Sequence, residues 1–241
     1  MVNAYMNWSG GKDSALCLHK ALESGKYNIT QLLTTVNAVH DRVSMHGVRR
    51  SLLEAQARST GFSLNTIELP EQPDMEAYEQ TMFCKIEELK KTGCTHALFG
   101  DIFLEDLKMY REKKLKEVEI ECSFPLWKRD TKALIKEFIG LGFKSIVVCV
   151  NEKYLDESFC GRLIDESFIN DLPEGVDVCG ENGEFHSFVY EAPIYKEPIV
   201  FSKGEIVYRK YKSPKGGDNH CHSNADLAQS GFYFCDLLPC P

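Results

Sequence analysis

The stretch Ser9-Gly10-Gly11-Lys12-Asp13-Ser14 gathers, in one short run, the residue types that handle a phosphate. Gly10 and Gly11 let the backbone turn sharply and approach a ligand with no Cβ in the way. Lys12 adds a mobile positive charge and Asp13 a carboxylate, while Ser9 and Ser14 add hydroxyls. Ahead of the run, residues 2–8 have the composition of a buried strand. Behind it, Ala15, Leu18 and Leu22 fall on one helical face. The loop therefore stands between a strand end and a helix start, where free N–H groups and the positive end of the helix dipole favour an anion. It is not a Walker loop, which has four residues between its first glycine and the Gly-Lys pair. The bland alternative is an ordinary turn followed by a cap.

Other clusters could do chemistry beside it. Gly180-Glu181-Asn182-Gly183-Glu184-Phe185 sets two glutamates in a glycine-bracketed loop. Asp156-Glu157-Ser158 with Arg162 offers a second acidic site, and Ser44-Met45-His46 a lone imidazole. Each has a plain structural reading as well: a hairpin turn, a helix cap, a satisfied core histidine. His220, Cys221 and His222 with Cys235 and Cys240 are zinc-capable side chains, but their spacing matches no common zinc module. A polar linker is the preferred reading there.

These groups need elements to hold them. The first half alternates strand and helix: a strand over 29–36, a helix marked by Val48, Leu52 and Ala55, and a strand over 63–69. A helix with the stripe Met75, Tyr78, Met82, Ile86 and Leu89 follows, then a strand over 95–100 that ends in Gly100-Asp101. Repeated βα units predict a parallel sheet whose strand ends share one crevice, so the loops after Trp8, Val36 and Phe99 face the same ligand. Residues 104–121 read as a charged surface helix. From about residue 123 a second, smaller α/β domain is expected to close over the crevice, with Asp130 capping a helix and Gly142 ending it. The predicted divisions are 1–122, 123–211 and a linker and C-terminal tail over 212–241, whose end, 231–238, is apolar enough to dock back.

Composition narrows the class. The 241 residues carry a formal charge of −8 and a pI near 5.4, which argues against a broad nucleic-acid surface. No run approaches a membrane span or shows the basic-then-apolar order of a signal peptide. Ten cysteines, scattered and without a C-x-x-C pair, read as reduced thiols in a cytoplasmic enzyme.

The Ser9–Ser14 run resembles the SGGxDS signature of the PP-loop (N-type) ATP pyrophosphatases, which split ATP between its α and β phosphates. Three more stretches resemble one branch of them, the diphthine–ammonia ligase family. They are Leu155-Asp156-Glu157-Ser158 with Gly161-Arg162, the run 180–185 beside the family's G-E-G-G-E-[YF]-E-T, and 124–130 beside its P-x-W-x-R-[DN]. Ser44-Met45-His46 is similar to a Met-Tyr-His site. Asn182 stands where the family has glycine, and His186-Ser187 where it has Glu-Thr.

The resemblance implies a HUP-like α/β fold with a PP-loop and a second, smaller α/β domain. It implies carboxylate activation by AMP transfer, then attack by ammonia or an amine. Nucleotide would lie against Ser9, Gly10, Gly11, Lys12, Asp13, Ser14, Val36, Gly100 and Asp101. Mg²⁺ would be held by Asp13 and Asp101, or by Glu181, with Lys12, Asp13, Glu181 and Glu184 as catalytic groups and Glu184 as the acceptor of a proton from the attacking amine. The acceptor, a small acid or modified protein side chain, would meet His46, Asp156, Glu157, Ser158, Arg162, Gly180, Glu181, Asn182, Gly183 and Glu184. His186 puts a titratable ring where a carboxylate would be, so the pocket is expected to accept a different partner or a more anionic one. Membrane and nucleic acid are not expected as partners, and a homodimer is left open. The rival readings are a PP-loop tRNA-modifying enzyme and a non-catalytic nucleotide sensor.

Overall fold

The computed structural model describes residues 1–70, 75–210 and 231–240. The first unit runs β1 (Val2–Asn7), α1 (Lys12–Ser24), β2 (Tyr27–Asn37), β3 (Arg42–Val43), α2 (Arg50–Thr60) and β4 (Leu64–Leu69). It continues with α3 (Met75–Lys91), β5 (His96–Leu98), α4 (Glu105–Lys116) and β6 (Glu121–Ser123). The sheet order is β3-β2-β1-β5-β6, with β4 also pairing β2. All pairs are parallel except β2 with β3. Chain order thus reverses at the β1/β5 junction, which makes a crevice beyond their carboxyl ends.

Strand alternation sorts the faces. Ala4 and Met6 of β1 pack with Ala15 and Leu18 of α1, whereas Tyr5 points to the other face, among Ile86, Leu89 and Leu115 of α3 and α4. Two expectations fail locally. Leu22 is 40% exposed, and Ala21 takes its place on the buried face of α1. The charged helix stops at Lys116 rather than 121, and Glu121–Ser123 adds a strand beside β5. Three residues are too few for alternation to announce a strand.

The second unit contains α5 (Thr131–Gly140), β7 (Lys144–Asn151), a 3-10 turn (Glu157–Phe159), α6 (Glu166–Asp171), β8 (Phe185–Glu191), β9 (Phe201–Lys210) and β10 (Gly231–Pro239). Asp130 caps α5 as expected, accepting the Ala133 N–H at 2.8 Å, and Gly142 follows with φ +85°. The sheet is antiparallel, ordered β8-β7-β10-β9. Residues 231–239 dock back as expected, and do so as an inner strand of this sheet. The linker residues 212–226, with His220, Cys221 and His222, lie outside the described residues.

One apolar core runs through both units, joining Leu18 and Leu53 to Phe138, Phe188 and Val189. Asp236 of β10 accepts from Arg42 Nη1 at 2.8 Å and Arg49 Nη2 at 2.6 Å, and this drops its carboxyl to about 2 against the opposing effect of burial. The second unit is thus built onto the first, and β8 runs along the Ser9–Ser14 loop.

Candidate active site

The loop after β1 is held from three sides. Gly10 adopts φ +77°, and a Cβ there would meet Gln56 Oε1 at 2.6 Å. Gln56, fully buried, donates to Gly10 O at 3.0 Å and Val189 O at 2.7 Å and accepts from Trp8 Nε1 at 3.0 Å. The Val189 N–H donates back to Gly10 O at 2.9 Å. On the third side Gly100 presses on α1: a Cβ there would lie 2.9 Å from the Asp13 carbonyl carbon and oxygen. Glycine at 100 is therefore a matter of contact between two backbones, at the junction where chain order reverses.

Helix α1 begins at Lys12, so the first N–H groups of this end have no acceptor within the helix. Two loop amides are nonetheless engaged. Gly11 N–H donates to Ser9 Oγ at 3.2 Å, and Lys12 N–H to Ser187 Oγ at 3.1 Å. The Ser187 hydroxyl thus stands in for an acceptor at the mouth of the loop. Lys12 itself is not a mobile surface charge. It is 4% exposed, donates to Asp13 Oδ2 at 2.6 Å and lies 5.6 Å over the Phe185 ring. Burial opposes its charge, but Asp13, Cys179 and Glu181 outweigh that and hold the ammonium protonated.

Acidic groups crowd this cation. Asp13 is pushed above the ordinary carboxyl range by burial and by Asp177 and Asp101, with Lys12 pulling the other way. Glu181 is raised to about 8 by burial and by Asp13, although the Ile102 N–H donates to its Oε1 at 2.6 Å. Among the described residues no three His, Cys, Asp or Glu side chains form a ready cage for a metal. The donors fit Mg²⁺ all the same: they are oxygens, their mutual repulsion is relieved by a cation, and Mg²⁺ needs only one or two carboxylates beside phosphates and water. Asp13, paired with Lys12, is the more exposed of the two carboxylates. Asp101 is already gripped by Arg111, with Nε 3.0 Å from Oδ2.

The loop 180–187 divides its two glutamates. Glu181 reaches across to the first unit, whereas Glu184 is 1% exposed and turns inward. Glu184 Oε1 accepts from the Asp177 N–H and from Asn182 Nδ2, both at 3.0 Å, and Oε2 is buried with no partner. The left-handed positions are Gly180 (φ +67°) and Gly183 (φ +83°), so Asn182 bears no such strain and instead braces Glu184. His186 stacks on His46 with centroids 4.5 Å apart, and His46 Nδ1 lies 3.3 Å from Ser187 O. Burial brings His46 to about 4 and His186 well below its ordinary value. Burial thus favours the neutral form of both rings.

The other expected residues sit apart. Asp156 caps the 3-10 turn, accepting the Ser158 N–H at 2.8 Å, and both are exposed beside Glu157. Arg162 pairs with Asp171 at 2.7 Å and stacks on Phe159 and Phe168. No hydrogen bond or ion pair among the described residues ties these four to the loop. Val36 is fully buried at the end of β2, so its side chain belongs to the core. Two residues at the site escaped sequence reasoning. Gln56 was detectable as a large polar residue on the buried face of α2, beside Leu52 and Leu53. Asp177, which accepts from the Cys179 and Glu181 amides, gave no signal at all.

Residues 2–122 match the diphthamide synthase N-terminal domain and residues 130–215 the diphthamide synthase C-terminal domain. The chain is 26% identical to a diphthine–ammonia ligase of Danio rerio over 223 residues, 83% of this chain and 86% of that one. It is 23% identical to that of Homo sapiens over 221 residues, 83% and 82% of the two chains. A solved structure described as a predicted subunit of tRNA methyltransferase from Methanocaldococcus jannaschii superposes with a TM-score of 0.42 at 20% identity. That match covers 60% of this chain and 80% of that one. Phosphate loop, acidic second loop and matches over both units converge: the chain belongs to the diphthamide synthase family, the diphthine–ammonia ligase branch of the PP-loop ATP pyrophosphatases.

Proposed function

We propose that the chain activates the carboxylate of diphthine, or of a closely similar acid, with ATP and passes the acyl group to ammonia. The observation that carries this reading is the buried Lys12–Asp13 pair at the start of α1, faced by Glu181 from the second unit. A carboxylate oxygen attacks the α-phosphorus, and the bond to pyrophosphate breaks. Ammonia then attacks the acyl carbon, the bond to AMP breaks, and one proton leaves the nitrogen. Lys12 and the start of α1 oppose the charge on the departing pyrophosphate. Asp13, with Asp101, would hold Mg²⁺, which when bound supplies further charge neutralisation on the phosphates. Glu181 is the group assigned to take the proton, since a carboxyl near 8 is matched to a weakly acidic nucleophile. Glu184 shapes the loop that presents it.

The test is incubation with ATP, ammonium and a protein carrying diphthine. AMP and pyrophosphate should appear in equal amounts and only with the acceptor present, and the acceptor should gain an amide by mass. ADP as the stoichiometric product, or AMP release indifferent to acceptor and ammonium, would overturn the reading.

A further inference from the structure

Two buried polar atoms of the second unit have no hydrogen-bond partner among the described residues: Asn151 Nδ2, at the end of β7, and Glu184 Oε2, just before β8. Asn151 is 0% and Glu184 1% exposed, so bulk solvent does not satisfy them, and a buried polar atom left alone calls for a partner. The two residues are neighbours. The Asn151 N–H donates to Glu184 O at 2.9 Å, and the next pair along the ladder is Val150 with Phe185. Residues opposite each other in an antiparallel pair project from the same face, with Cβ atoms about 5 Å apart. Each side chain has its second polar atom occupied. Asn151 Oδ1 accepts from the Lys153 N–H at 3.1 Å, which turns the Nδ2 donor inward. Glu184 Oε1 accepts from Asp177 and Asn182, which leaves Oε2 as the acceptor.

A donor and an acceptor set side by side select a small ligand that accepts one hydrogen bond and donates another. Ammonia, with one lone pair and three N–H groups, does both, and water shares this chemistry. Ammonium has no lone pair for the Asn151 donor. Phe232, opposite Asn151 on β10 and buried, adds an apolar wall. The same face of the sheet leads to the reaction centre. Cys149 pairs with His186 two residues along, His186 stacks on His46, and a Cβ at Gly11 would lie 3.0 Å from His46 Cε1. Burial disfavours the charged forms of His46, His186 and Cys149, and the Asp177 carboxylate beyond Glu184 accepts from the Cys179 and Glu181 amides. We infer that the position between Asn151 Nδ2 and Glu184 Oε2 binds the nitrogen donor as neutral ammonia, on the path to the activated acyl group. Ammonium leaves its proton in solvent before it binds, and the proton lost on attack goes to Glu181 as assigned above. This rests on the amide-ligase reading, and adds to it the form and the place of the nitrogen donor.

The test titrates the full chain, labelled with nitrogen-15, with ammonium chloride at about pH 7 and about pH 8, with sodium and potassium chloride as controls. The side-chain amide signal of Asn151, identified by its loss in Asn151→Asp, should move with ammonium chloride and with neither control. The half-saturating concentration of total ammonium should fall about tenfold over that unit of pH, because the neutral fraction rises by that factor. A half-saturation indifferent to pH means that the cation binds, a shift with potassium means a general cation site, and no shift means a buried water only. Each of these overturns the proposal. Asn151→Asp keeps an acceptor for the Lys153 N–H and removes the donor. In amide formation its KM for ammonium should rise about tenfold, the worth of one hydrogen bond, and by more than its kcat falls. An unchanged KM in the folded variant also overturns the proposal, and if the variant does not fold the titration of the unaltered chain decides. Acceptor-dependent AMP release is scored separately. AMP release with no ammonia signal at Asn151 sinks only the subsite, and ammonia binding without AMP release sinks only the ligase reading.

Discussion

Two glycine-bracketed loops meet at the crevice, one from each unit, and they use their charged residues differently. In Ser9–Ser14 the cation and the carboxylate are adjacent and paired with each other, under a backbone fixed by Gln56, Gly100 and β8. In 180–187 one glutamate is spent on closing its own loop and the other crosses to the Ile102 amide of the opposite unit. The first loop is a rigid seat whose chemistry is local. The second works only through where it is carried, so identical side chains three residues apart have unlike environments.

The largest effect should come from Lys12→Ala. Removing the buried cation should lower AMP formation by about 10²- to 10³-fold, as loss of a preorganised transition-state contact does. Because Lys12 is buried beside Asp13, some stability should go with it, so turnover is measured per folded molecule by pairing product assays with melting curves. Unchanged turnover would make the seat a scaffold only. Next is Gly100→Ala, where the new Cβ would meet the Asp13 backbone at 2.9 Å. A loop displaced by such a clash should lose about 10²-fold in rate and about 1–3 kcal/mol in stability, checked by kinetics and denaturant titration.

Glu181→Gln sharpens the contrast through pH. The carboxyl sits near 8 in the folded chain against an ordinary 4.5, so the folded state holds a proton that the unfolded chain has lost between those values. Stability should therefore fall as pH rises through this window, and the substitution should flatten that fall in melting curves taken across it. For the reaction, kcat/KM should rise toward a plateau above about 8, and the variant should lose that limb. Glu184→Gln should have the smallest effect on chemistry. An amide oxygen still accepts the Asp177 N–H, so AMP formation should fall several-fold less than in Glu181→Gln, with the loss appearing in stability instead. A deeper loss of rate in Glu184→Gln than in Glu181→Gln would reverse the roles of the two.

What the sequence by itself determined was local and contiguous. The phosphate loop between strand and helix, the βα alternation, the Asp130 cap and the stop at Gly142 all follow from neighbours within a turn or two, where glycine freedom, capping and periodicity act. Family likeness extended this to the acidic loop, and there it named residues without their directions. Tertiary structure decided the rest, because burial and partnership come from residues far apart in the chain. Ser187 receives the Lys12 amide across 175 positions, Gln56 joins the loop to β8, and β10 enters the second sheet as an inner strand. Glu181 and Glu184 differ for the same reason. Their spacing is written in the chain, but which one meets other carboxylates in a low-dielectric crevice, and so is raised to about 8, depends on the packing of one unit against the other.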